Sequence, residues 1–150
     1  MNVLFVCTGN TCRSPMAEGI LRDLAEKNKL DINVKSAGIS AFSGDMASWN
    51  SVEAMKEIGI DILKHKTTQI NEDLLKEADL ILTMSKSHKD FLTYNFPWAK
   101  EKVFTLMEYA YGREKDIMDP FGQSLAVYKK TRDEIYEAIQ KLIVKSEELD

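Results

Sequence analysis

Val3-Leu4-Phe5-Val6-Cys7-Thr8-Gly9-Asn10-Thr11-Cys12-Arg13-Ser14-Pro15 carries an apolar run, a polar turn and a helix start in that order. Val3 to Val6 read as a short strand buried on both faces. Ser14 is a favoured N-cap and Pro15 suits the first position of a helix, so a helix is expected from there. Met16, Ala17, Ile20, Leu21, Leu24 and Ala25 then recur on one helical face. The polar turn thus lies at the carboxyl end of a strand and just before a helix, where open α/β sheets bind their ligands. Five residues separate Cys7 from Arg13, enough to curl around a small anion. Gly9 and Asn10 tolerate left-handed backbone, which turns successive N–H groups inward as an anion nest. The helix adds the positive end of its dipole, and Arg13 can close the ring with a two-pronged guanidinium clamp. A cysteine in such a place is expected to be a thiolate at neutral pH, its sulfur bonded by the Ser14 hydroxyl.

Outward from this turn, apolar runs alternate with helical patterns, as in a parallel α/β sheet. Further strands are expected over 32–37, 80–84 and 103–106. Helices are expected over 48–58, from a cap at Asn71, over 87–94 and over 124–145. The first of these would point Val52, Met55 and Ile58 inward and stop at Gly59. The last would bury Tyr128, Ile135, Ile139 and Leu142. A long loop carries Asp116 to Gly122, and Lys145 to Asp150 reads as a solvated end. His88 is expected on an exposed helix face, and Trp49 and Trp98 as packing or surface anchors.

The 150 residues fit one domain spanning 1–150, large enough to need no disulfide or metal staple. Twenty basic residues against twenty-four acidic ones give a net charge of −4, which argues against general affinity for nucleic acid or anionic membrane. No apolar run reaches the ~18 residues of a membrane helix, and the opening MNVLFVCTGN has no basic leader. A cytoplasmic location with reduced thiols is therefore expected. Only Cys7 and Cys12 are cysteines. Cys12 could trap an oxidised Cys7 as a disulfide and make the site redox-sensitive.

Rival chemistries fit the turn less well. A Walker loop ends in Gly-Lys-Ser/Thr, whereas this one ends in Cys-Arg-Ser. A zinc site from Cys7, Cys12, His65 and His88 lacks a second ligand pair, and a thioredoxin-type redox site would be Cys-x-x-Cys. For a general acid, Asp119 and Asp116 are both candidates. Pro120 stiffens the chain after Asp119, and Phe121 could flank a ring or guanidinium. The same residues also fit a plain Asp-Pro turn.

The run Val6 to Pro15 and the distant Asp119-Pro120-Phe121-Gly122 resemble the low-molecular-weight protein tyrosine phosphatases over essentially the whole chain. Ser36-Ala37-Gly38 and His65 with Gln69-Ile70 share in the likeness. The resemblance implies one four-stranded parallel sheet flanked by helices and no metal or other cofactor. It implies Cys7 as nucleophile, Arg13 as phosphate clamp and Asp119 as general acid and base. Thr8, Gly9, Asn10, Thr11, Cys12 and Ser14 would complete the phosphate loop. Asn10, Ser14, Ser36 and His65 would hold its strained shape, and Phe42 and Phe121 would wall the substrate pocket. Phosphorylated proteins would be the substrates and inorganic phosphate the product, with the enzyme a monomer.

Thr11 bears on which phosphorylated residue is cleaved. Many tyrosine-specific members carry a larger apolar side chain there, suited to a phenyl ring. A threonine hydroxyl can accept from a guanidinium N–H, which phosphoarginine has and phosphotyrosine lacks. In this and in its overall sequence the chain resembles the bacterial protein-arginine phosphatases. Phe42 pulls back toward phosphotyrosine, and strict tyrosine specificity is the alternative. An arsenate reductase of this fold would need further cysteines in mid-chain, and none follows Cys12. A non-hydrolysing phosphoprotein adaptor would lack the nucleophile or acid.

Overall fold

Val3, Phe5 and Cys7 alternate with Leu4 and Val6 along β1 (Asn2–Cys7), and the two sets face different cores. A strand buried on both sides has no polar face, hence its continuous apolar run. The computed structural model describes the backbone of residues 1–149 and the side chains of residues 1–145. β1 pairs with β2 (Asn33–Gly38) and β3 (Leu80–Thr83), and β3 with β4 (Val103–Thr105). All pairings are parallel, in the order β2-β1-β3-β4, as the expected fold class requires. The register sets Cys7 opposite Gly38, and Val6 between Ala37 and Thr83. All strands therefore end on one edge, where the polar turn emerges.

One face is covered by α1 (Arg13–Lys27), α2 (Trp49–Glu57), α5 (Leu106–Tyr111) and α6 (Leu125–Leu149). The other carries α3 (Glu72–Glu77), α4 (Lys86–Asn95) and the 3-10 segment Pro97–Lys102. Phe5, fully buried between the layers, contributes about 1.5–3 kcal/mol by leaving water. Tyr128, Ile135, Ile139 and Leu142 of α6 all enter the core, as expected. Ile58 lies at the C-cap of α2 and is only half-buried, while Gly59 follows at φ 78°. Asn71 caps α3 by accepting from the Leu74 N–H at 2.9 Å. Trp98 is half-exposed, packed edge-on to Phe96 and flanked by Lys76 and Lys102. No described helix is long and apolar enough to cross a membrane. The solvated end expected at 145–150 lies outside the described side chains, apart from exposed Lys145.

Several expectations are corrected. Ser14 does not cap α1: the helix starts at Arg13, two residues before the expected Pro15, and the capping position, Cys12, makes no side-chain cap bond. In the first turn of α1, Pro15 carries no N–H, the Met16 N–H is spent on the Cys12 carbonyl at 3.3 Å and the Ser14 N–H faces the Cys7 sulfur. Strand ends differ from expectation by one residue: β1 is longer at both ends, β2 is shifted, and β3 and β4 are shorter. β3 stops at Thr83, whose hydroxyl donates to the Ser85 carbonyl at 2.8 Å. His88 is not exposed but 6% accessible, since it shares a buried face of α4 with Leu92.

Candidate active site

The turn after β1 is shaped chiefly by Asn10. It is fully buried in the left-handed region at φ 59°, a conformation Gly9 does not share. Its side-chain amide donates to Ser14 Oγ at 2.8 Å and to Ser36 Oγ at 2.9 Å. Its side-chain oxygen accepts from the Thr68 N–H at 2.9 Å, and its carbonyl bonds His65 Nε2 at 2.8 Å. Ser36 in turn donates to Glu18 of α1 at 2.5 Å. Asn10, Ser14, Ser36 and His65 thus form one connected network, with Glu18 and Thr68 as members the sequence did not single out. β2 presses on the same turn: a Cβ on Gly38 would stand 2.6 Å from the Thr8 carbonyl oxygen and 2.9 Å from the Asn10 nitrogen. Only glycine fits there.

Cys7 lies at the floor, 3% accessible, with its sulfur 2.8 Å from the Ser14 hydroxyl. Burial pushes its thiol up from the ordinary value. The Ser14 hydroxyl, the backbone N–H of Ser14, the charge of Arg13 and the N–H of Asn10 oppose that, in this order. Burial thus works against the low thiol pKa expected from sequence, and these four groups work for it. Arg13 divides its charge: one nitrogen donates to the Ile117 carbonyl at 2.7 Å and the other lies 3.6 Å from Asp119 Oδ2.

Asp119 is half-exposed and accepts from the Phe121 N–H at 3.1 Å. Asp116, the other candidate acid, is used elsewhere: its Oδ1 accepts from the Lys86 N–H, at the start of α4, at 2.9 Å. Cys7, Thr8, Gly9, Thr11, Cys12, Arg13, Asp119 and Phe121 line one cavity of about 210 Å³. That is below the roughly 300–1,000 Å³ of pockets for drug-sized ligands, and suits a phosphate with the tip of one side chain. Two larger hollows, of about 340 and 370 Å³, lie behind the turn beside Glu18 and His65 and beside α2. Neither includes Cys7, Arg13 or Asp119.

Phe42, expected in the pocket wall, does not line this cavity. Its side chain is 82% exposed, while its carbonyl is held by the Thr67 hydroxyl. Phe121 does line the cavity, 72% exposed. Thr11 lines it too, its carbonyl fixed by the Ser48 N–H at 2.9 Å. Cys12 is a free thiol like Cys7, and its sulfur contacts Ser48 Oγ at 3.6 Å and Tyr128 Oη at 3.4 Å.

His88 is the residue missed. Nε2 lies 2.9 Å from Thr8 Oγ1 and Nδ1 2.8 Å from Ser85 Oγ. Burial, then the charge of Arg13, lowers its pKa to about 4, so it is neutral. A signal was present in its i,i+4 spacing to Leu92, which puts both on one helix face.

The chain matches the family described as low molecular weight phosphotyrosine protein phosphatase over residues 2–150. It is 45% identical over 142 residues to a protein-arginine-phosphatase of Bacillus subtilis (strain 168), covering 95% of this chain and 94% of the relative. It resembles the structure of a YwlE arginine phosphatase C7S mutant with a phosphorylated active-site serine. There the TM-score is 0.94 at 43% identity, over 97% of this chain and 95% of that one. It also resembles a low molecular weight protein tyrosine phosphatase from T. tengcongensis, with TM-score 0.93 and 49% identity, over 97% and 99% of the two chains.

Proposed function

The chain belongs to the low molecular weight phosphotyrosine protein phosphatase family, and we propose that it dephosphorylates proteins through a phosphocysteine formed on Cys7. The observation that carries this reading is the single cavity in which the Cys7 sulfur, the Arg13 guanidinium and the Asp119 carboxylate meet. The phosphorylated serine in the mutant relative supports the same position as the phosphate acceptor.

The chemistry follows from these groups. The backbone N–H groups of the turn hold the phosphate oxygens, and Arg13 clamps them. The Cys7 thiolate attacks phosphorus while Asp119 protonates the departing atom. Water then attacks the phosphocysteine, Asp119 takes its proton, and the thiolate leaves with help from the Ser14 hydroxyl. Such acid–base assistance contributes typically about 10²–10⁴ in rate.

For the substrate, Thr11 and the protein-arginine-phosphatase relative favour phosphoarginine. Strict phosphotyrosine specificity is the second reading, supported by exposed Phe121 at the cavity and by the tyrosine phosphatase relative. Residues 1–150 would act as one metal-free, monomeric, cytoplasmic phosphatase domain that releases inorganic phosphate and engages neither nucleic acid nor membrane. The test is turnover of phosphoarginine and phosphotyrosine peptides by the native protein and by Thr11→Ile. Loss of the Thr11 hydroxyl should lower kcat/KM for phosphoarginine relative to phosphotyrosine by about tenfold. An unchanged ratio refutes the arginine preference, and full turnover by Cys7→Ser refutes the mechanism.

A further inference from the structure

We propose that the Thr8 side-chain hydroxyl is a further phosphate donor, aimed into the cavity by His88 acting as a positioning residue. The proposal rests on the reading of the turn as a phosphate cradle. Thr8 lines the cavity beside Cys7, and its backbone is fixed where its carbonyl accepts from the Ser40 N–H at 2.8 Å. Its hydroxyl is held from behind by His88 Nε2 at 2.9 Å, and the other ring nitrogen meets Ser85 Oγ at 2.8 Å. Ser85 Oγ also accepts from the His88 N–H at 3.4 Å and lies 2.9 Å from Ser87 Oγ.

A neutral imidazole carries one ring hydrogen, so its bonds to Thr8 and Ser85 can run in only two ways. In one, Ser87 donates to Ser85, Ser85 to Nδ1, and Nε2–H to Thr8. The Thr8 hydrogen is then free for a phosphate oxygen. In the other, Thr8 spends its hydrogen on Nε2 and turns a lone pair toward the cavity. An anion in the cavity stabilises the first, since a donor facing a charged acceptor makes the stronger bond. The buried position of His88 and its closeness to Arg13 keep the ring in the required neutral form.

A double-mutant cycle read by inorganic phosphate as competitive inhibitor tests this. Thr8→Val removes the hydroxyl at constant shape and should weaken inhibition about tenfold, the scale of one bond to a charged group. His88→Leu should weaken it similarly, and His88→Gln, which keeps a donor, should recover part of the loss. Thr8→Val combined with His88→Leu should be no weaker than Thr8→Val alone. An unchanged inhibition constant for Thr8→Val overturns the proposal, and this variant decides alone if His88→Leu does not fold. Losses that multiply in the double variant overturn the role of His88. A native protein that phosphate does not inhibit overturns the cradle itself, which separates the two failures.

Discussion

Asn10 and His88 both reach across the chain to shape the same turn, yet only one could be read beforehand. Asn10 announces itself locally, because asparagine next to glycine in a polar turn is a residue that accepts left-handed backbone. His88 takes its meaning from Thr8, eighty residues away, and no local pattern joins them. Its burial has a consequence for stability. The folded pKa of about 4 lies below the ordinary 6.5, because burial and Arg13 disfavour the charged ring, with Asp116 and Asp119 opposing. Between these values the unfolded chain binds a proton that the folded protein refuses. This contribution is therefore intact above pH 6.5 and is lost as the pH falls toward 4, at most about 3 kcal/mol in all. Urea unfolding at pH 7 and pH 4.5 should show a smaller acid loss in His88→Asn than in the native protein. Equal losses in both would mean that His88 is not held neutral.

At the level of elements, the strands were legible as apolar runs, the long helices as apolar periods and α3 from its Asn71 cap. The helix after β4 was not. α5 is only six residues long, so no period could develop, although its ends carry signals. Thr105 Oγ1 accepts from the Glu108 N–H at 3.0 Å, and Gly112 closes the helix at φ 74°. The start of α1 was misread for a different reason. Ser14 has the chemistry of a cap, but the cysteine sulfur and the Asn10 amide claim its hydroxyl instead. Gly38, at the end of β2, shows how tightly an element can bear on the site. Its backbone conformation would suit any residue, so only contact excludes a side chain. In Gly38→Ala the new methyl meets backbone atoms that cannot rotate aside. Overpacking of this kind typically costs 1–3 kcal/mol. Because the atoms displaced belong to Thr8 and Asn10, kcat should fall along with the urea midpoint. A variant that loses stability but keeps native kcat would show that the turn does not depend on the seam with β2.

Across the whole molecule, a chain of net charge −4 is read as closing around a dianion. The opposition is only apparent, because Arg13 and the backbone N–H groups of the turn act within a few ångströms whereas exposed charges beyond about 10 Å are largely screened at moderate salt. Net charge speaks only to general affinity for extended polyanions, and it says nothing against this local site. Linkage makes the difference measurable. Phosphate that binds the folded cradle and not the unfolded chain stabilises the fold by about 2.7 kcal/mol at a hundred times its dissociation constant. For a chain of this length that raises Tm by about 5–10 °C. Arg13→Ala removes the one side-chain cation of the cavity lining, so its Tm should respond far less to the same phosphate. The comparison should be made at constant ionic strength, where general salt effects cancel between the two proteins. An equal rise in both would mean that phosphate acts elsewhere on the surface, and the anion cradle would lose its thermodynamic support.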